Sequence, residues 1–151
     1  MTRHIVIEGP DGAGKTMLAR ALCEVRGKAY HHEGPPPNPG ALEHYRSLLE
    51  RSTPTVFDRL HLGELVYGPL LRGASQLNLA DALELNYKAD LIICLPPWET
   101  CLINTAHRKE LIESPFVMHI AYVIWERLAD QPDIAQWARR FDYTKEAFDV
   151  A

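Results

Sequence analysis

The apolar positions fall into short β-branched runs separated by longer stretches of helical spacing. His4-Ile5-Val6-Ile7 is the first such run; it stops at a glycine and predicts a buried parallel strand. From Lys15 to Val25, residues Met17, Leu18, Ala21, Leu22 and Val25 recur at helical spacing, and Gly27 stands where a helix C-terminal cap belongs. Ala29-Tyr30-His31-His32 predicts a short second strand, closed by Gly34-Pro35-Pro36-Pro37-Asn38-Pro39-Gly40, whose prolines forbid both helix and ladder pairing. Ala41 to Arg51 reads as a helix, and Thr55-Val56-Phe57 as a strand ending at Asp58-Arg59. Asp90 to Leu95 is the clearest strand, stopped by Pro96-Pro97; a helix begins around Trp98. Val117, Ala121, Ile124 and Leu128 mark one face of a long helix, and Arg140 to Tyr143 predicts a last strand.

Strands that alternate with helices imply an α/β fold, a parallel sheet with helices on both faces, joined by right-handed crossovers. Ligands of such sheets bind at the carboxyl ends of the strands. With 151 residues, 46% of them hydrophobic, the chain is sized for one domain, taken as residues 1–151.

Charge narrows the partners. A net charge of −4 and a pI near 6.0 offer no overall attraction to nucleic acid or an anionic membrane, so neither is expected as a partner. No apolar run reaches the length of a bilayer span and no signal-peptide core follows Met1, which predicts a cytoplasmic protein. Cys23, Cys94 and Cys101 form no CxxC pair and read as reduced thiols. His31, His32 and His61 lack the spacing of a zinc site, and Trp98, Trp125 and Trp137 read as packing residues.

One segment carries specific chemistry. Gly9-Pro10-Asp11-Gly12-Ala13-Gly14-Lys15-Thr16 fits the phosphate-loop pattern GxxxxGK[ST] and lies between a predicted strand and a predicted helix. Its backbone N–H groups point at phosphate oxygens, the helix N-terminus adds its positive end, Lys15 reaches the β and γ phosphates, and Thr16 offers its hydroxyl to Mg²⁺. ATP and Mg²⁺ are therefore the expected cofactors. Asp58 and Arg59 should emerge beside this loop: Asp58 as a ligand of Mg²⁺, directly or through water, and Arg59 as a fork for a phosphoryl oxygen. His107-Arg108-Lys109 is a basic cluster suited to a short lid around residues 105–114 that shields the transfer from water. Arg139-Arg140 reads as surface.

Taken together, Glu8 to Thr16 and Asp58-Arg59-Leu60-His61-Leu62-Gly63-Glu64-Leu65-Val66-Tyr67-Gly68 resemble thymidylate kinase and its short phage-type relatives. The resemblance implies a P-loop NTPase three-layer sandwich with sheet order 2-3-1-4-5, and a reaction in which ATP phosphorylates a deoxynucleoside monophosphate, dTMP foremost. It implies that Asp11 contacts the acceptor sugar, that Arg59 binds phosphate, that Tyr67 stands near the acceptor, and that the catalytic arginine comes from the lid as Arg108. It also implies a homodimer. Where that family often carries an arginine after the second strand, this chain has His32-Glu33-Gly34-Pro35, which leaves Arg72 as the candidate for the acceptor phosphate. A second reading stays open: deoxynucleoside kinases carry a base-like glutamate after the second strand, and Glu33 would serve a neutral 5′-hydroxyl in that way.

Overall fold

A computed structural model describes residues 3–107 and 114–147. Five strands form one parallel sheet: β1 (His4–Glu8), β2 (Ala29–His32), β3 (Thr55–Asp58), β4 (Ala89–Cys94) and β5 (Ala138–Phe141), in the order β2-β3-β1-β4-β5. Every adjacent pair is parallel, as helical crossovers between strands require. The helices are α1 (Lys15–Arg26), α2 (Ala41–Leu49), α3 (Leu62–Arg72), α4 (Leu79–Asn86), α5 (Trp98–His107), α6 (Pro115–Asp130) and α7 (Pro132–Ala135). They cover both faces of the sheet, giving the three-layer sandwich that the resemblance implied.

The central strands are apolar on both faces because helices bury both. Ile5, Val6, Ile7, Val56, Phe57, Leu91, Ile92 and Ile93 are almost wholly inaccessible. β2 differs: it is the edge strand, and three of its four residues are exposed. The register sets Ile7 beside both Asp58 and Ile92, so β1, β3 and β4 end together and their carboxyl edge forms the floor on which a ligand would sit.

Two helices carry no pattern that marks them. α3 contains Pro69 in its interior, and α4 is eight residues long, held at its start by a capping box between Asn78 and Asp81. The last strand starts at Ala138, two residues before the expected Arg140, and leaves Tyr143 outside the sheet. In α6 the most buried stripe is Met118, Ala121, Tyr122 and Trp125, not the expected face through Val117, Ile124 and Leu128. The aromatic members explain the rotation: the Tyr122 hydroxyl donates to Pro96 O at 2.6 Å and the Trp125 indole N–H donates to the Tyr67 hydroxyl at 3.4 Å. Among the described residues no helix is long and apolar enough to cross a membrane.

Candidate active site

The loop between β1 and α1 is built from backbone. Gly9, Gly12 and Gly14 have φ of 141°, 76° and 86°, values that suit residues without a Cβ. Side chains are excluded there by contact as well. A Cβ on Gly9 would lie 2.4 Å from the carbonyl oxygen of Cys94, and one on Gly12 would lie 2.4 Å from that of Cys101. The loop thus rests directly on the end of β4 and on α5. Asn104 fastens it from α5, its side-chain amide donating to Gly12 O at 2.8 Å and to the Tyr143 hydroxyl at 3.0 Å.

Lys15 is buried, and its ammonium donates to Pro10 O at 2.6 Å, so the side chain curls over the loop it belongs to. Burial lowers its pKa to about 8, with Arg59 adding repulsion and Asp11 and Asp58 offsetting it. A buried cation at the start of a helix suits a polyanion, and the negative charge of a phosphate would favour its charged form further.

Asp58, the last residue of β3, is fully buried. Its Oδ2 accepts from the hydroxyls of Thr16 and Tyr30, each at 2.7 Å, whereas Oδ1 is buried with no hydrogen-bond partner among the described residues. A carboxylate in this position calls for a cation or ordered water. The described residues include no cluster of three His, Cys, Asp or Glu side chains that would hold a metal unaided. Thr16 and Asp58 are hard oxygen donors and fit Mg²⁺, which keeps water and takes phosphate oxygens to complete its shell. Such an ion would neutralise phosphoryl charge when bound.

Arg59 follows with φ of 72°, the only described non-glycine residue at positive φ. Its own N–H donates to Ile7 O at 2.9 Å, which ties the kink to β1. The turn throws the guanidinium away from Asp58 and toward Asp11, where Nη2 lies 3.0 Å from Oδ1; Nε is buried without a partner among the described residues. Consecutive residues therefore serve two places: Asp58 faces Thr16, and Arg59 faces an open cleft.

That cleft has a volume of about 520 Å³ and is continuous with the phosphate loop at Gly9 and Asp11. Its walls are the proline-rich loop with His32 and Glu33, α3 with Glu64, Tyr67, Leu71 and Arg72, and the indole of Trp125. The size suits one small organic ligand. Of the residues expected at a substrate, Asp11, Glu33, Arg59, Tyr67 and Arg72 all line it. Their surroundings differ from a free set of side chains, however. Glu33 lies 3.2 Å from both His31 and His44, and Arg72 is paired with the wholly buried Glu64. Arg108 lies outside the described residues, as does most of the expected lid at 105–114.

Three participants carried no signal that sequence spacing detects. Glu8 is buried at the end of β1 and accepts from Leu62 N at 2.6 Å and Gly63 N at 3.3 Å, anchoring the start of α3. Burial pushes its carboxyl up to about 7, opposed by those N–H groups and by Lys15. Its one mark in the sequence is a charge closing an apolar run. Tyr30 carries no mark because its partner Asp58 stands elsewhere in the chain, and Glu64 carries none because its pairing with Arg72 depends on a helix that no pattern announces. His61 is fully buried: Nε2 pairs with Asn86 Oδ1 at 2.6 Å while Nδ1 has no partner among the described residues, and burial lowers its pKa to about 4, leaving a neutral ring.

A parallel sheet in this order, with a glycine-rich phosphate loop between β1 and α1, is the three-layer α/β fold of P-loop proteins. Solved structures bear this out. The chain is similar to the YorR protein of Bacillus subtilis in complex with phosphorylated GDP, with a TM-score of 0.77 and 15% identity over 95% of this chain and 87% of that one. It is similar also to deoxyadenosine kinase from M. mycoides with bound dATP (TM-score 0.67, 14% identity, 96% and 93% covered). Shikimate kinase from Acinetobacter baumannii in complex with shikimate follows at 0.61 and 17% identity, with 97% and 86% covered. At these identities the likeness concerns the fold. No family model and no curated protein sequence matches the chain.

Proposed function

We propose that the chain transfers the γ-phosphoryl group of Mg·ATP to a deoxynucleoside monophosphate, dTMP first among them. The observation that carries the reading is Arg59. A strained turn holds its guanidinium at the junction of phosphate loop and cleft, with a buried Nε–H that no described residue satisfies. An unpaired guanidinium donor there suits an anionic acceptor.

The roles divide along the cleft. The loop amides and Lys15 hold the donor phosphates, and Thr16 with Asp58 holds Mg²⁺. Arg59 and Arg72 receive the acceptor phosphate, Asp11 its sugar, and Tyr67 lies beside it. Because a monophosphate is already ionised, its oxygen attacks without a general base, and the protein's work is alignment and charge neutralisation. Arg108 is assigned to the lid, supplying charge to the transferred group. The deoxyadenosine kinase and YorR structures support a nucleotide or nucleoside as the ligand class.

One observation favours a nucleoside acceptor instead. The cleft is lined by four carboxyl side chains, Glu8, Asp11, Glu33 and Glu64, against Arg59, Arg72 and His32, and both arginines are already paired with acids. A neutral sugar hydroxyl would meet less repulsion there, with Glu33 as its base.

Incubation of the protein with Mg·ATP and separate panels of deoxynucleoside monophosphates and deoxynucleosides, resolved by chromatography, decides between them. A diphosphate formed from a monophosphate is the expected product. Reaction of nucleosides alone, abolished in Glu33→Gln, would replace this reading with the second.

A further inference from the structure

The hydroxyl of Tyr30 has no place in the division of roles above, yet it touches the carboxylate at the centre of the site. We propose that Tyr30 is a positioning residue for the divalent cation, holding Asp58 in the orientation that the metal needs; the inference rests on the phosphate-loop reading of the site.

The geometry is specific. Tyr30 Oη and Thr16 Oγ1 both donate to the same oxygen, Asp58 Oδ2, at 2.7 Å, and no described residue donates to Oδ1. Two donors on one oxygen fix the plane of the carboxyl group and leave the other oxygen for a cation or its water. Thr16 has a second duty, since its oxygen is itself a candidate metal ligand. Tyr30 is then the one described side chain whose bond to Asp58 does nothing except orient it.

Sheet register explains why a tyrosine is used. His32 stands beside Asp58 across the β2–β3 ladder, whereas Tyr30 stands beside Val56, two residues back on the same face. A long side chain is needed to lean along the strand and reach the carboxylate. The ring is steadied from outside by the Arg20 guanidinium, 5.2 Å from its centroid. Tyr30 remains 37% exposed on an edge strand, so its hydroxyl contributes little to the core, and deleting it isolates the contact with Asp58.

The test compares the parent with Tyr30→Phe in the full chain, using Mn²⁺ as a paramagnetic probe. Binding of Mn²⁺ to ADP-saturated protein, followed by electron paramagnetic resonance, should weaken about tenfold in the variant, the loss usual when a group that orients a metal ligand is removed. ADP affinity without metal and the thermal midpoint should not change. In turnover, the variant should need more Mg²⁺ to reach the same plateau rate. Mn²⁺ affinity within twofold of the parent would overturn the inference while leaving the phosphate-loop reading intact. A parallel loss of metal-free ADP affinity would overturn it as well, since Tyr30 would then support the loop and not the cation. Failure of the parent itself to bind ADP would remove the reading and the inference together.

Discussion

The two sides of the carboxyl edge are built by different means. On the phosphate-loop side, the chain from Gly9 to Thr16 takes its shape from backbone dihedrals and from carbonyl contacts with Cys94 and Cys101, so Gly9 and Gly12 are demanded by space and conformation at once and Gly14 by conformation. Across the cleft, the wall is assembled from side-chain hydrogen bonds and ion pairs, some within one helix and some between segments. Arg59 meets Asp11, Arg72 meets Glu64, Gln76 donates through its amide to Pro37 O, and Glu33 meets His31 and His44. A backbone receptor binds any polyphosphate of the right length, and its tolerance for substitution is small. A wall of paired side chains changes ligand when one pair changes, and the fold need not notice. On the proposed reading the loop fixes the chemistry, and the paired wall is where specificity is free to vary.

Lys15→Ala breaks the comparison at its strongest point. Removing the cation from a desolvated phosphate receptor should cut turnover by about a thousandfold or more, in line with the loss of a principal charge-stabilising donor. The fold should survive, because the ammonium is a buried charge whose pKa is lowered to about 8. A depressed lysine pKa means that the charged form is less stable in the folded chain, so the parent should gain stability as pH rises from about 8 toward the ordinary lysine value. The variant should lack that gain. Urea unfolding across this range checks the sign, and substantial retained turnover would dismiss the donor assignment.

A smaller effect is expected on the acceptor side from Arg59→Gly set beside Arg59→Ala. Both remove the guanidinium, and both should raise the acceptor KM about tenfold or more while leaving Mg·ATP affinity near its parent value. Only glycine relieves the backbone. At φ of 72° an alanine keeps a left-handed strain of about 1–2 kcal/mol, so the glycine variant should be the more stable of the two by about that amount. The lost ion pair counts for little in this balance, since both partners are partly exposed. An unchanged acceptor KM would return Arg59 to a purely structural part.

The same asymmetry governs what could be read before the structure. The phosphate loop was legible because its function lies in local conformation, which the glycine spacing encodes directly, and the strands flanking it were legible because burial on both faces makes them plain apolar runs. The position of Asp58 and Arg59 at the sheet edge followed from strand order. Their divergence did not: Arg59 turns away through a positive φ that nothing in an arginine announces. Tyr30 and Trp125 were invisible as parts of the site because each acts through a partner remote in sequence, and Glu64 because the helix α3 that pairs it with Arg72 was hidden by Pro69. The stripe of α6 was misjudged by a fraction of a turn, since the small residue Ala121 belongs to both candidate faces and the aromatics that decide the matter look the same inside a core or beside a cleft.

Glu8 joins the two sides, and its titration offers the finest probe of how they communicate. It closes β1, immediately before the phosphate loop, and it receives the first N–H groups of α3, which carries Glu64, Tyr67 and Arg72 into the cleft wall. Burial raises its pKa to about 7 from the ordinary carboxyl value of 4.5. Between those values the folded chain binds a proton that the unfolded chain has released, so stability should fall as pH rises through the window and level off above 7. The full shift corresponds to a change on the order of 3 kcal/mol, and the helix N-terminus, which favours the ionised form, acts to reduce it. In Glu8→Gln the carbonyl still accepts from α3 but the titration is gone. The difference in unfolding free energy between parent and variant should therefore drift with pH from 4.5 to 7 and be constant beyond it. If the two curves run parallel throughout, the carboxyl ionises as it would in the unfolded chain, and the link from phosphate loop to acceptor wall is a plain hydrogen-bonded staple with no electrostatic cost.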